Sequence, residues 1–466
     1  MITDKNKLGL GSLIALSMGS MLGAGLFALP QNVAASAGVS ALLLAWLITF
    51  GGMLALARVF QNLSLRASHL DAGIYSYAKA TLGNFMGFSS AWGYWLSIMA
   101  GNIGYLIMIS AACATFFPTF GDGTTLSSLL LSSAIVWSTT LLCLRGVKTA
   151  TAINNMVTLL KVLPIMLFIL IIAVEFKLET FTVNILQPNN LGSITQQIKN
   201  TMLVTVWVFI GIEGANVFSS RAQRRKDIGR ATVLSFLLIF LMLFCISILP
   251  FGILSQATLA NLPNPSTGSL LQHVNGHLSE ICMNVALILM VLGAFLSWTM
   301  MAAEVPLVAT KNDGLFPQIF ALVNHRDAPA GALVIGALCQ QLYLVLVYAF
   351  KLSYLESISI ATAMIIPPYW FAALYAIKFA VIGKGYENNA RDRWWEGCVG
   401  VVAVIYGAWL LYAAGKYLIL ASILYTLGIV VFALNKLLRK QQIFGRYELL
   451  YCLILVVGAG ISICLQ

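Results

Sequence analysis

Apolar residues along this chain come in long blocks, and many blocks reach the ~20 residues that a membrane helix needs. They predict spans over residues 8–30, 40–60, 85–117, 126–144, 152–174, 200–218, 232–253, 281–308, 330–350, 354–379, 395–414 and 417–434. A further apolar run covers 449–465 and carries no charge after Glu448, so it reads as a thirteenth span or as an interfacial tail. The pattern therefore predicts an all-α polytopic membrane protein with 12 or 13 transmembrane helices and no soluble domain. Polar punctuation is brief. The segment 70–77 is a polar turn entering the third span, 254–280 is an outer loop with Pro263, Pro265 and Gly268, and 309–329 reads as a short amphipathic helix between two turns.

Two spans are interrupted by glycine. The first carries Gly19-Ser20-Met21-Leu22-Gly23-Ala24-Gly25, and the sixth carries Trp207 through Asn216, with Ile210 and Glu213 inside it. A broken helix leaves backbone groups that hydrocarbon cannot satisfy, so such backbone must line a cavity enclosed by protein or wetted by water. Interrupted spans at corresponding places in two halves point to a transporter's substrate site. Five spans begin with the first break and precede the second, and an odd number inverts the second copy. The expected organisation is a repeat over 8–174, an inverted repeat over 200–379 and appended helices over 395–466. Gly19-x-x-x-Gly23 also fits a helix-packing motif, but Gly25 and Pro30 favour unwinding.

Composition agrees with this organisation and changes the meaning of the charge. The chain of 466 residues is 60% hydrophobic and 9% charged, where a soluble domain carries about 25% charged residues. A net charge of +11 would suggest nucleic acid in a soluble protein. Here the spans place only Lys177, Lys199, Lys351 and Lys416 on one side and Lys161 within a span, with every other basic residue on the opposite side. That asymmetry puts the N-terminus in the cytoplasm of an inner-membrane protein. The first apolar stretch is too long and glycine-rich for a cleaved signal. Eight cysteines stand singly, without C-x-x-C or zinc-like spacing. His273 and His277 have i, i+4 spacing, but Gly276 between them argues against a metal-binding helix. No metal and no cofactor is expected, and no nucleophile–base arrangement suggests an enzyme.

The candidate chemistry gathers at the breaks. Glu213 is an ionisable group at a span's centre, where it attracts a cation, carries a proton, pairs with a lysine or caps broken backbone. Trp207 and Trp298 offer indole faces for an ammonium or guanidinium, or are packing residues. The backbone around Ser20, Met21, Gly23, Ala24 and Gly25 precedes a half-helix N-terminus suited to a carboxylate. Together these suggest a zwitterionic or cationic amino acid. Asn102, Ser357, Ser359 and Thr362 are weaker candidates, because buried hydroxyls more often bond their own helix. Lys161 and Glu304 are expected to lie close together, as a static ion pair or a proton-handling pair.

Three stretches carry a family resemblance: Gly23-Ala24-Gly25-Leu26-Phe27-Ala28-Leu29-Pro30, Trp207 to Asn216, and Ser297 to Pro306 with Lys311 to Pro317. The chain resembles the amino acid–polyamine–organocation transporters, and within them the basic amino acid/polyamine antiporters. Glu304-Val305-Pro306 and Tyr406 to Gly415 look most like the arginine/ornithine antiporter branch. The resemblance implies a sodium-independent exchanger with a five-plus-five inverted-repeat fold. It implies substrate contacts at Trp207, Trp298 and Asn102, a gating role for Glu213, and Lys161 in the place of a coupling sodium. Glu304 departs from the arginine/agmatine members, which carry a neutral residue there. The expected substrates are arginine, ornithine, lysine or agmatine, in a lipid bilayer, with room for a homodimer. The expected activity is arginine/ornithine antiport. The alternatives are proton-coupled symport, or exchange of lysine or arginine for its decarboxylation product.

Overall fold

The structure is a computed structural model that describes residues 9–67, 70, 74–145, 162–186, 190–213, 223–383, 385–386 and 389–464. Lys161 and the stretch 214–222, with Gly214, Ala215 and Asn216, lie outside the described residues. The first span is two helices, α1 (Leu10–Met21) and α2 (Gly25–Ser36). The Leu22 N–H still bonds the Met18 carbonyl at 2.9 Å, and then the backbone leaves the helix with Leu22 at ψ 91°. Unwinding is thus the outcome at Gly19-x-x-x-Gly23.

After the break come α3 (Val39–Arg66), α4 (Ile74–Leu82), α5 (Asn84–Cys113), α6 (Leu126–Leu144), α7 (Val162–Val174), α8 (Leu178–Leu186) and α9 (Ile194–Trp207). Beyond the second break lie α10 (Arg225–Ile248), α11 (Gln256–Ala260), α12 (Ser266–Asn275), α13 (His277–Asp313), α14 (Ala330–Phe350), α15 (Tyr354–Ile382), α16 (Ala390–Ala414), α17 (Lys416–Leu438) and α18 (Arg446–Cys464). Among the described residues, nine helices are long and apolar enough to cross a membrane. The spans expected at 126–144 and 330–350 coincide with α6 and α14 to the residue.

Two loops differ from expectation. The segment 309–329 is not an amphipathic helix. Instead α13 runs on to Asp313, ends on Gly314 in the left-handed conformation, and is followed by a short 3₁₀ turn at Gln318–Ala321. Glycine at that position relieves the Cβ strain that would otherwise resist the reversal. The outer loop 254–280 is largely helical and bears on the first span. Pro30 in α2 has no N–H to donate. One residue on, the Ser266 hydroxyl enters the helix, accepting from the Gln31 N–H and donating to the Phe27 carbonyl, each at 3.2 Å. The Gln31 side chain donates to Ala260 O at 3.0 Å, so α11 and α12 are tied to the outer half of the first span.

α5 and α15 form the centre. The most apolar window of α5 is 89% buried and that of α15 67%, against 33% or less for α6, α14 and α17, which face outward. Lipid is as apolar as leucine, so helices associate through close packing and hydrogen bonds rather than hydrophobic burial. Glycine provides the room. Gly428 of α17 receives Trp92 of α5, Gly52 of α3 receives Tyr406 of α16, and Gly407 of α16 receives Trp370 of α15; a Cβ at any of them would strike the ring.

Candidate substrate site

The two breaks meet. The Ser20 hydroxyl proton is shared between the Ser17 carbonyl of its own helix at 2.8 Å and the Gly211 carbonyl at 3.0 Å, which joins the first span to the sixth. After α9 the chain continues in turns, and Gly211 has φ +106°, a conformation open to glycine at little cost. A Cβ there would also stand 2.6 Å from the Ser20 carbonyl oxygen. Beside this junction lies a cavity. It is lined by Met21, Gly23, Gly25 and Leu26 from the first break, and by Trp207, Val208 and Ile210 from the second. Trp298 of α13, Leu243 of α10 and one face of α5 complete the wall.

That face of α5 orders the site. Tyr94, Ser97 with Ile98, Gly101 with Asn102, and Tyr105 recur at helical spacing, and the stretch from Tyr94 to Tyr105 rises about 16 Å. At one end, Tyr105 meets the Trp207 ring edge-on with centroids 6.0 Å apart, while the Trp207 indole N–H donates to the Tyr354 hydroxyl of α15 at 3.1 Å. At the other end, Tyr94 donates to Glu213 Oε1 at 2.8 Å and Tyr369 of α15 donates to Oε2 at 2.7 Å. The Gly211 N–H donates to the same Oε2 at 3.2 Å. Both ends of the described turn Trp207–Glu213 are thus clamped between a tyrosine of α5 and a tyrosine of α15. Between the clamps, Asn102 Nδ2 donates to Thr299 Oγ1 of α13 at 3.3 Å.

The glycines are steric necessities. A Cβ on Gly25 would lie 2.8 Å from the Trp207 indole nitrogen, one on Gly101 2.7 Å from the Trp207 ring, and one on Gly23 would overlap the Tyr105 hydroxyl. The first turn of α2 presents N–H groups that have no preceding turn to bond, and Gly25 and Leu26 of that turn line the cavity. An anion is favoured at such a place by the unpaired donors and the helix dipole together.

Met21, Gly23, Gly25, Asn102, Trp207, Ile210 and Trp298, all marked in the sequence, line one cavity. Ser20, Ala24, Glu213 and Ser357 are not among its lining residues. Ser20 ties break to break, and Glu213 is buried under two hydroxyls and a backbone N–H rather than facing the cavity. Ser357 of α15 is fully buried, one helical turn from Tyr354. Glu304 is exposed on α13 and makes no ion pair among the described residues; its expected partner Lys161 lies outside them. Sequence reasoning missed Ser97, Ile98 and Tyr105, and the clamping tyrosines Tyr94, Tyr354 and Tyr369. Extending the helical period from Asn102 reaches Ile98 and Tyr105, so part of that face was available. Among the described residues, no group of three His, Cys, Asp or Glu side chains could hold a metal.

An unwound first span meeting the turn that follows α9 around a cavity, inside a bundle of membrane-length helices, fits a membrane permease. A family model described as amino acid permease matches residues 8–461, and the chain belongs to that family. It is 45% identical to the arginine/ornithine antiporter of Pseudomonas aeruginosa, over 98% of this chain and 97% of that one. The L-lysine transport protein of Corynebacterium glutamicum is 37% identical, covering 97% and 93%. The arginine/agmatine antiporter of Chlamydia abortus is 42% identical, covering 91% and 88%. The expected superfamily and all-helical permease fold are thereby borne out.

Proposed function

We propose that this permease exchanges cationic amino acids across the inner membrane without sodium, arginine against ornithine, by alternating access. One observation carries the reading. The cavity holds two indoles and a half-helix N-terminus, and among the described residues no charged side chain lines it. A guanidinium or ammonium is held there by ring faces, an interaction worth about 2 kcal/mol or more when desolvated. The α-carboxylate is held by the amides at the start of α2. Such a site has no carboxylate of its own to neutralise a single entering cation. One cation arriving as another leaves keeps its charge balance, and this favours exchange.

The halves 8–174 and 200–379 are inverted repeats in this reading, spans 1, 2, 6 and 7 rock against spans 3, 4, 8 and 9, and the appended helices 395–466 brace them. The asymmetry of the basic residues supports an N-terminus in the cytoplasm. The Trp207–Tyr354 contact then closes the outer side and the Glu213–Tyr94–Tyr369 contact the inner side, so that Glu213 governs opening rather than touching substrate. Lys161 and Glu304 are proposed as a pair on the inner half. The protein is a carrier and not an enzyme. The likeness to an arginine/agmatine antiporter supports a second reading, exchange of arginine for its decarboxylation product.

The test is uptake of labelled arginine into proteoliposomes preloaded with ornithine, lysine, agmatine or nothing. Uptake that requires an internal basic partner is the expected result, and the best partner names the exchange. Equal uptake into buffer-loaded vesicles, rising with an inward proton gradient, would replace antiport with symport.

A further inference from the structure

A second cavity lies between the C-terminal end of α3, the last turns of α15 and the start of α16, and shares no lining residue with the first. Its depth in the membrane is legible. On α3 the apolar stretch 39–57 ends at Arg58, on α15 the uncharged stretch 357–377 ends at Lys378, and on α16 the charges end at Glu396 and the apolar run begins. Trp394 and Trp395, at the same level of α16, are 70% and 62% exposed. Tryptophan at the end of an apolar run marks the headgroup layer. The cavity therefore opens where lipid headgroups lie.

Its walls carry separated charges. Arg58 is exposed, and its guanidinium donates only to Gln61 Oε1, at 3.1 Å, with no carboxylate in ion-pair range among the described residues. Opposite lies Glu396, which shares Arg66 with Asp392 at 3.3 and 3.1 Å. Asn62 is 92% buried. Its amide nitrogen donates to the Tyr386 hydroxyl at 3.0 Å, but its Oδ1 is buried with no hydrogen-bond donor. A buried acceptor without a donor is destabilising, so this atom calls for a ligand that brings an N–H. Of the residues that line the cavity, Arg58 and Glu396 are the charged ones among the described residues, and they carry opposite charges.

We propose that this cavity binds the phosphoethanolamine headgroup of a membrane phospholipid. The phosphate oxygens lie against the Arg58 guanidinium, whose planar donors suit them. The primary ammonium donates to Asn62 Oδ1 and to Glu396. The acyl chains follow the outward face of α16, where Val402 and Ile405 are exposed. A purely anionic headgroup leaves Asn62 Oδ1 without a donor, and a trimethylated ammonium has no N–H to give.

The experiment compares phosphatidylethanolamine, phosphatidylcholine, phosphatidylglycerol and soluble phosphoethanolamine as added ligands. Binding to the full-length detergent-purified protein is read by native mass spectrometry and by thermal shift. Phosphatidylethanolamine is expected to bind about tenfold more tightly than phosphatidylcholine, the effect of one charge-assisted hydrogen bond. Glu396→Gln should reduce that preference. Arg58→Ala, at an exposed position that folding tolerates, should weaken all three lipids. Equal binding of phosphatidylethanolamine and phosphatidylcholine by the unaltered protein would overturn the proposal. So would a preference for phosphatidylglycerol, which would mark a basic surface patch. Soluble phosphoethanolamine matching the lipid would reassign the site to a small molecule.

Discussion

Trp207 is held at two places: its ring edge by Tyr105 and its N–H by Tyr354. A hydrogen bond between membrane helices is worth about 0.6 kcal/mol on average and up to about 1.7. Trp207→Phe keeps a ring face for the substrate and removes the bond. Turnover in the exchange assay is expected to change by about three- to tenfold, with KM nearly constant. A raised KM at constant turnover would show instead that Trp207 acts as binding surface and not as a latch. Glu213 faces three donors, the Tyr94 and Tyr369 hydroxyls and the Gly211 N–H. A proton on the carboxyl turns one acceptor into a donor facing donors, and Glu213→Gln does so permanently. The unaltered protein is expected to change its exchange rate as pH falls, while Glu213→Gln holds one rate throughout. Parallel pH profiles would remove Glu213 from the gating step.

At the scale of elements, the breaks work because backbone meets backbone. Ser20 reaches the Gly211 carbonyl only because Gly211 takes φ +106° and presents no Cβ to the first span. The left-handed conformation costs a residue with a Cβ roughly 1–2 kcal/mol, and the approach to the Ser20 carbonyl adds a direct clash. Gly211→Ala should lower exchange by more than about tenfold while the protein still inserts, as checked by its amount in the membrane against uptake. Unaltered flux would mean that the breaks separate during the cycle without this contact. The outer half-helix α2 has its own fastening, the Ser266 hydroxyl placed between Gln31 and Phe27. The outer loop therefore moves with α2 or releases it.

Across the whole molecule, α5 and α15 supply both clamping pairs, Tyr94 with Tyr369 and Tyr105 with Tyr354. These are the most buried helices of the bundle among those compared above. The sixth-span break sits between them, so closing one clamp and opening the other requires only movement of the broken spans against two rigid walls. Obligatory exchange follows from that geometry when the clamps open readily only around a bound cation, and the preloaded-vesicle assay reads this directly. The second cavity stands apart, on the surface that α3, α15 and α16 turn toward the headgroups. Substitution of Arg58 or Glu396 should leave the substrate cavity's lining intact, since the two cavities share no residue.

The sequence by itself determined the membrane character, most helix boundaries and the place of both breaks. The reason is local. In hydrocarbon each helix must satisfy its own backbone, so its length and interruptions are written in consecutive residues. The lining residues carried by the breaks were legible for the same reason, Met21, Gly23, Gly25, Trp207 and Ile210 among them. What only the tertiary structure decided is rotation and partnership. Tyr94 and Tyr369 lie 119 and 156 residues from Glu213. A helix apolar on every side offers no stripe to say which face turns inward, because lipid and protein neighbours ask for similar side chains. From its charge and depth Glu213 could attract a cation, carry a proton, pair with a lysine or cap broken backbone, and only the fold shows it under two tyrosines and the Gly211 N–H beside the cavity.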